Sequence, residues 1–195
     1  MRIGVDFDNT LVSYDEIFHR VALEQGAIPA STPRSKLAVR EHLRREGREA
    51  LWTEMQGTVY GTRMDDVAAY PGALEFLDWA ARGGIEVCII SHKTRHPFIG
   101  PKHDLHQAAR RWVERHLRGV SAFFELTKEE KLERIRACAC DWYIDDLPEI
   151  LLAPGFPPRV KRILFDPDGH HASVEGILRF ATWREIREHF QSEWK

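Results

Sequence analysis

Two aspartates two residues apart, Asp6 and Asp8, stand in the stretch Val5-Asp6-Phe7-Asp8-Asn9-Thr10-Leu11 near the start of the chain. Side chains at i and i+2 of a strand share a face. Two carboxylates so placed repel unless a cation, a proton donor or a substrate separates their roles. A solvated turn uses the same residue types, so the pair by itself decides little. Three further polar signals follow hydrophobic runs or open helices: Ser91, Lys128 with Lys131, and Asp145 with Asp146. Each alone has an ordinary account as a cap, a surface lysine or a turn. In one order, on one edge of one sheet, they form a candidate site.

That edge is set by the elements around it. Arg2-Ile3-Gly4-Val5 reads as a buried strand, and Ser13-Tyr14-Asp15-Glu16 as a capping box opening a helix to about Gln25. Asp6 and Asp8 then lie where a strand's carboxyl end gives way to a helix, the edge at which open α/β sheets bind ligands. A charged helix is expected over about 35–46, and a third after Gly47 carrying Leu51, Trp52 and Met55, with Gly57 and Gly61 loosening the chain to Arg63. Tyr70-Pro71-Gly72 is a turn, followed by a helix with Leu74, Leu77 and Ala81 inward. Ile85–Ile90, apolar on nearly every residue, suits a central parallel strand.

Beyond the polar loop 92–103, a helix from about Asp104 carries Leu105, Ala109, Trp112, Val113 and Leu117 at helical spacing. A short strand at 121–126 precedes a capping box, Thr127-Lys128-Glu129-Glu130. Trp142-Tyr143-Ile144 and Val160–Phe165 read as the remaining strands, and Thr182-Trp183-Arg184-Glu185 opens a closing helix. Strands alternating with helices from Tyr70 onward predict a doubly wound parallel α/β sheet.

Composition narrows the function classes. The chain has 195 residues, 28 basic against 30 acidic, 43% hydrophobic and 30% charged, which fits a globular fold with one good core. Near-neutral net charge gives no global field for nucleic acid, and no apolar run approaches the ~20 residues that span a bilayer. The N-terminal residues lack the pattern of an export signal, so a cytoplasmic location is expected. Cys88, Cys138 and Cys140 fit neither a disulfide framework nor a zinc site and read as free thiols. His92 and His96 flank a loop rather than share a helix face, which argues against a zinc pair. Residues 31–50 hold six basic side chains against three acidic, read chiefly as a solvated, ion-paired helix face.

On these motifs the chain resembles the phosphatases of the haloacid-dehalogenase superfamily. Asp6-Phe7-Asp8-Asn9-Thr10-Leu11 is similar to its first motif, Ile90-Ser91 to its second, the Lys128/Lys131 helix to its third and Ile144-Asp145-Asp146 to its fourth. The resemblance implies an α/β Rossmannoid core over 1–13 and 69–195, with a small helical cap over 14–68. It implies Mg²⁺ as cofactor and a small phosphorylated metabolite, a nucleotide or a sugar phosphate, as substrate. By the same resemblance Asp6 is nucleophile and metal ligand, and Asp8 is general acid/base and gives its carbonyl to the metal. Asp145 and Asp146 complete the metal site.

Ser91, Thr10 and a lysine are implied to hold the phosphate, with Thr10 also a candidate for fixing the motif turn. Lys131 is preferred to Lys128, which sits at the first helical position and is more easily solvated. Lys93, just after Ser91, is a further phosphate candidate. In the cap, Tyr60 and Arg63 are the candidates for reading the substrate, and Trp52 reads as cap core. The dehalogenases of the family lack the second acid, so Asp8 favours ester hydrolysis. Two other readings compete: a decayed phosphate-binding or regulatory module, against which the intact set of acids speaks, and a phosphatase of nucleic-acid ends, against which the charge balance speaks. Sequence leaves the oligomeric state open.

Overall fold

In the computed structural model, which describes residues 1–193, the chain divides into two compact units. The first comprises Met1–Val12, Ala69–His92 and the chain from Gly119 onward; the second comprises Ser13–Ala68 and Lys93–Arg118.

In the first unit, β1 (Arg2–Val5) is the centre of a six-stranded sheet. The chain leaves through β2 (Val12–Ser13) and returns through β3 (Ala68–Ala69), which pair with each other. Between them lie α1 (Asp15–Glu24), α2 (Lys36–Arg45), α3 (Glu49–Tyr60) and a 3₁₀ turn at Met64–Asp66. There follow α4 (Ala73–Arg82), β4 (Glu86–His92), α5 (Leu105–His116), β5 (Ser121–Glu125), α6 (Lys128–Ala137), β6 (Trp142–Asp145) and α7 (Pro148–Leu151). The chain ends with β7 (Lys161–Phe165), β8 (Ile177–Phe180) and α8 (Trp183–Glu193).

The sheet order is β5-β4-β1-β6-β7-β8, and every pairing in it is parallel. The chain steps outward from β1 through β4 to β5, then crosses to β6 and steps outward again. The strand order therefore reverses between β1 and β6, and ligands of such sheets bind outside the carboxyl ends of the strands at this switch point. Val5 pairs in register with Ile89 on one side and Ile144 on the other. The acids that follow Val5 and Ile144 are thus brought to one edge. Gly4 is needed within β1, because a Cβ there would lie 2.7 Å from the Tyr143 ring. That ring is buried, and its hydroxyl donates a 2.6 Å hydrogen bond to the Ile90 carbonyl, tying β6 to β4 across β1.

Several expectations need correction. Ser13 does not cap α1: it belongs to β2, and the N-cap is Tyr14 with no side-chain bond. Gly57 does not end α3, which continues to Tyr60. On α4 the buried residues are Ala73, Phe76, Leu77 and Ala80, with Leu74 half-buried and Ala81 exposed. Val160–Phe165 does not hold the last strand. The short edge strand β8 and the four-residue α7 were too brief to show a period in the sequence. The two capping boxes at Thr127/Glu130 and Thr182/Glu185 form in full. Cys88 and Cys140 are buried, Cys138 is half-buried and all three are free.

The second unit has its own core, in which Phe18 stacks on Trp52 at 4.7 Å and Tyr14 meets Tyr60 edge-on at 4.8 Å. Residues 93–118, placed with the core on sequence, group with this unit instead. Trp112 on α5 donates its indole N–H to the Val67 carbonyl (2.8 Å), and His106 bonds the Lys93 carbonyl (2.7 Å). Among the basic residues of 31–50, Arg34, Arg44 and Arg48 pair with Glu16, Glu49 and Glu46. No described helix is long and apolar enough to cross a membrane.

Candidate active site

Asp6 directly follows β1 and still donates its N–H to Ile144 of β6, so its side chain is held at the switch point. The chain then turns sharply: the N–H groups of Leu11 and Val12 both donate to the Phe7 carbonyl. Asn9 takes a φ of 57° at the turn, a left-handed conformation that asparagine adopts more easily than most residues. Thr10 fastens the turn. Its hydroxyl lies 3.0 Å from Asp146 Oδ1 and accepts a 3.0 Å bond from the Asp146 N–H. Asp6 Oδ2 lies farther off at 3.4 Å. A hydroxyl has one proton, and the nearer carboxylate takes it.

The lysine is decided by helix geometry. With Thr127 as N-cap, Lys128 points outward to pair with exposed Glu149 at 3.2 Å, whereas Lys131 on the next turn is fully buried. Its ammonium lies 2.7 Å from Asp6 Oδ1 and 2.7 Å from Asp145 Oδ2. Asp145 also accepts the Leu147 N–H through its other oxygen, at 2.9 Å. Oxygens of Asp6, Asp145 and Asp146 all lie within 4.8 Å of one another. The carboxylate of Asp8 is outside that cluster; Asp8 is half-buried, within the turn.

Three acids around one lysine leave negative charge in a buried place, and the proton equilibria report it. Burial, reinforced by Asp145 and Asp8 and opposed by Lys131, lifts the Asp6 carboxyl from its ordinary 3.8 to about 6. Burial and the charges of Asp6 and Asp145 push Asp146 well above the carboxylate range. Lys131 is held charged: burial works against its ammonium, but Asp145 and Asp6 outweigh it. Burial and Lys131 push the His92 imidazole, at the end of β4, down. A cluster of carboxylate oxygens carrying more negative charge than its lysine balances is what a hard divalent cation requires, and these three residues could hold one.

Ser91 is buried near the end of β4, the strand beside β1. Lys93 and Tyr60 lie in the second unit, where the Lys93 ammonium sits 4.4 Å over the Tyr60 ring. Arg63 forks onto Glu24 (2.6 Å) and Asp66 (2.6 Å), so its guanidinium is engaged within that unit. Trp52 is buried in the same core.

No family model matches the chain. It is similar over 192 residues, at 23% identity, to a protein of Oceanobacillus iheyensis provisionally named a nucleotidase, covering 95% of this chain and 97% of that one. Among solved structures, a HAD-superfamily hydrolase from Ehrlichia chaffeensis superposes with a TM-score of 0.63 at 16% identity, over 100% of this chain and 97% of the other. The chain has the haloacid-dehalogenase fold. An L-2-haloacid dehalogenase also superposes on it, with a TM-score of 0.57 at 12% identity, over 97% of this chain and 98% of the other. The fold therefore holds members of different chemistry, and side chains must separate them.

Within this haloacid-dehalogenase fold, sequence reasoning overlooked two supports of the site. Trp183 is buried and donates its indole N–H to the Thr10 carbonyl at 3.0 Å, bracing the turn from α8. Tyr143 lies under Lys131, whose ammonium is 5.7 Å from its ring centre. A tryptophan at the first position of a helix is a weak signal, and nothing in the sequence places it 173 residues away against Thr10.

Proposed function

We propose that the protein is a Mg²⁺-dependent phosphomonoester hydrolase acting on a small phosphorylated metabolite. The observation that carries this reading is buried Asp6 at the switch point, held by Lys131 and grouped with Asp145 and Asp146. Asp6 is the nucleophile. Its carboxylate attacks phosphorus, the P–O ester bond breaks, and an aspartyl-phosphate forms. Asp8 donates a proton to the leaving alkoxide, then takes one from the water that attacks the aspartyl-phosphate and releases inorganic phosphate. Asp6, Asp145 and Asp146, with the Asp8 carbonyl, would hold Mg²⁺, which supplies charge neutralisation between an anionic nucleophile and an anionic substrate. Lys131 screens the same repulsion from the protein side, and Ser91 binds a phosphoryl oxygen.

The second acid, Asp8, favours ester hydrolysis over halide displacement, which needs no proton for the leaving group. The name of the Oceanobacillus relative favours a nucleotide over a sugar phosphate. The second unit is read as the cap that selects the substrate. The engaged arginines of 31–50 give little support to nucleic-acid ends as substrate, and the complete set of acids gives little to a decayed module.

Release of p-nitrophenol from p-nitrophenyl phosphate, with and without Mg²⁺, tests the reading. Wild type is expected to turn over only with the metal and Asp6→Asn not at all. Equal rates for the two proteins would remove Asp6 from the role of nucleophile.

A further inference from the structure

Within the second unit, α3 carries Gly57 in its last turn and is followed by Gly61 at its C-cap. A Cβ at Gly57 would lie 2.9 Å from Pro97 Cβ, and one at Gly61 would lie 2.9 Å from His103 Cβ. The glycines let the 96–103 loop close onto the helix. Where it closes, a cavity of about 90 Å³ opens between Gln56 and Tyr60 of α3, Thr94, Pro97 and Phe98 of the loop, and Leu105. Its walls are mainly apolar. Gln56 is half-buried, and its amide makes no hydrogen bond among the described residues. Phe98 is 78% exposed, a large aromatic kept in water beside the cavity.

We propose that this cavity is a subsite for a single six-membered heteroaromatic ring with an amide-like edge, as in a pyrimidine. An apolar cavity of about 150 Å³ accepts benzene. One of about 90 Å³ cannot enclose a whole ring, but being open to solvent it takes the edge of a single ring through its mouth and would leave a fused bicycle largely outside. Exposed Phe98 supplies a ring face for stacking, Tyr60, which already carries Lys93 over its ring, forms part of the wall, and the Gln56 amide offers a donor and an acceptor to the ring edge. The inference rests on the phosphatase reading for one link only, that the ring belongs to the phosphorylated substrate. Thr94 follows Ser91 by three residues, so the chain keeps the two within about 11 Å.

The test compares kcat/KM with Mg²⁺ for uridine monophosphate, adenosine monophosphate, phenyl phosphate and ringless glycerol phosphate. The pyrimidine ester is expected to exceed the purine ester at least tenfold. In Phe98→Ala the ratio of the pyrimidine to the ringless ester falls about tenfold, the usual scale of one lost stacking contact. In Gln56→Leu the ratio of the pyrimidine to phenyl phosphate falls, because only the pyrimidine edge needs the amide. A purine preference, or ratios unmoved in both variants, would overturn the subsite. If none of the four esters is hydrolysed, the phosphatase reading fails separately. Uridine binding by calorimetry then decides the subsite alone: binding weakened about tenfold in Phe98→Ala supports it, and no binding or equal binding overturns it.

Discussion

Thr10 and Asp146, 136 residues apart in sequence, exchange two hydrogen bonds of 3.0 Å through one hydroxyl. The turn after β1 is thereby locked to the turn after β6, and Trp183 closes the arrangement from behind Thr10. Thr10→Val keeps shape and loses both bonds. Trp183→Phe leaves the buried Thr10 carbonyl unsatisfied, at a cost of about 1–3 kcal/mol. Both variants are expected to lower kcat more than they raise KM, since they loosen the acids. Steady-state kinetics beside urea denaturation checks this, and unchanged kcat in both would deny the turn a positioning role.

The two lysines of α6 should separate cleanly. Removing Lys131 leaves Asp6 and Asp145 facing each other uncompensated, and breaking such a buried pair costs about 3–5 kcal/mol. Lys131→Met is expected to be much less stable and to have lost at least about a hundredfold in turnover. Lys128 pairs on the surface with Glu149, and Lys128→Met should stay within about 0.5 kcal/mol of wild type. The same p-nitrophenyl phosphate assay and a thermal melt of each variant decide the matter.

Metal binding should appear as stability. With Mg²⁺ at 100 times its Kd, native-state binding adds about 2.7 kcal/mol, a rise in Tm of about 5–10 °C for a chain of this size. Asp145→Asn and Asp146→Asn should abolish most of that rise. A Tm equally responsive to Mg²⁺ in all three proteins would place the cation elsewhere.

The raised Asp6 equilibrium predicts a pH dependence in metal-free buffer. Between about pH 4 and 6 the native state holds a proton that the unfolded chain has released, so this group makes stability fall as pH rises through that window. Asp6→Asn has no such group. Its stability relative to wild type should therefore increase from pH 4 to pH 7, by on the order of 2 kcal/mol. Denaturation of both proteins at the two pH values measures the difference; a difference that stays constant or shrinks contradicts the assignment.

Gly57 tests the packing of the second unit. Alanine there gains about 1 kcal/mol of helix propensity but puts a Cβ 2.9 Å from Pro97. Overpacking of this kind costs about 1–3 kcal/mol, so Gly57→Ala should be destabilised on balance. A Tm above wild type would show that the loop yields freely.

The sequence by itself determined what local pattern controls. The apolar runs, the capping boxes at Thr127 and Thr182, and the alternation of strand and helix specified a parallel α/β sheet, and placed Asp6, Ser91 and Asp145 at strand ends. It could not show that Ser13 is committed to a strand pair instead of a cap, because that depends on a partner at Ala68–Ala69. Nor could it show β8, an edge strand of four residues, or the grouping of α5 with residues 13–68, which Trp112 and Val67 establish across 45 residues. The site divides the same way. Residue types and spacing selected the acids and narrowed the lysines to two, since a carboxylate pair and a helix start are local features. Which lysine is buried between Asp6 and Asp145, what braces Thr10 and what engages Arg63 were decided only by tertiary packing. Desolvation and ion pairing depend on which distant groups share a small volume, and sequence spacing does not encode that.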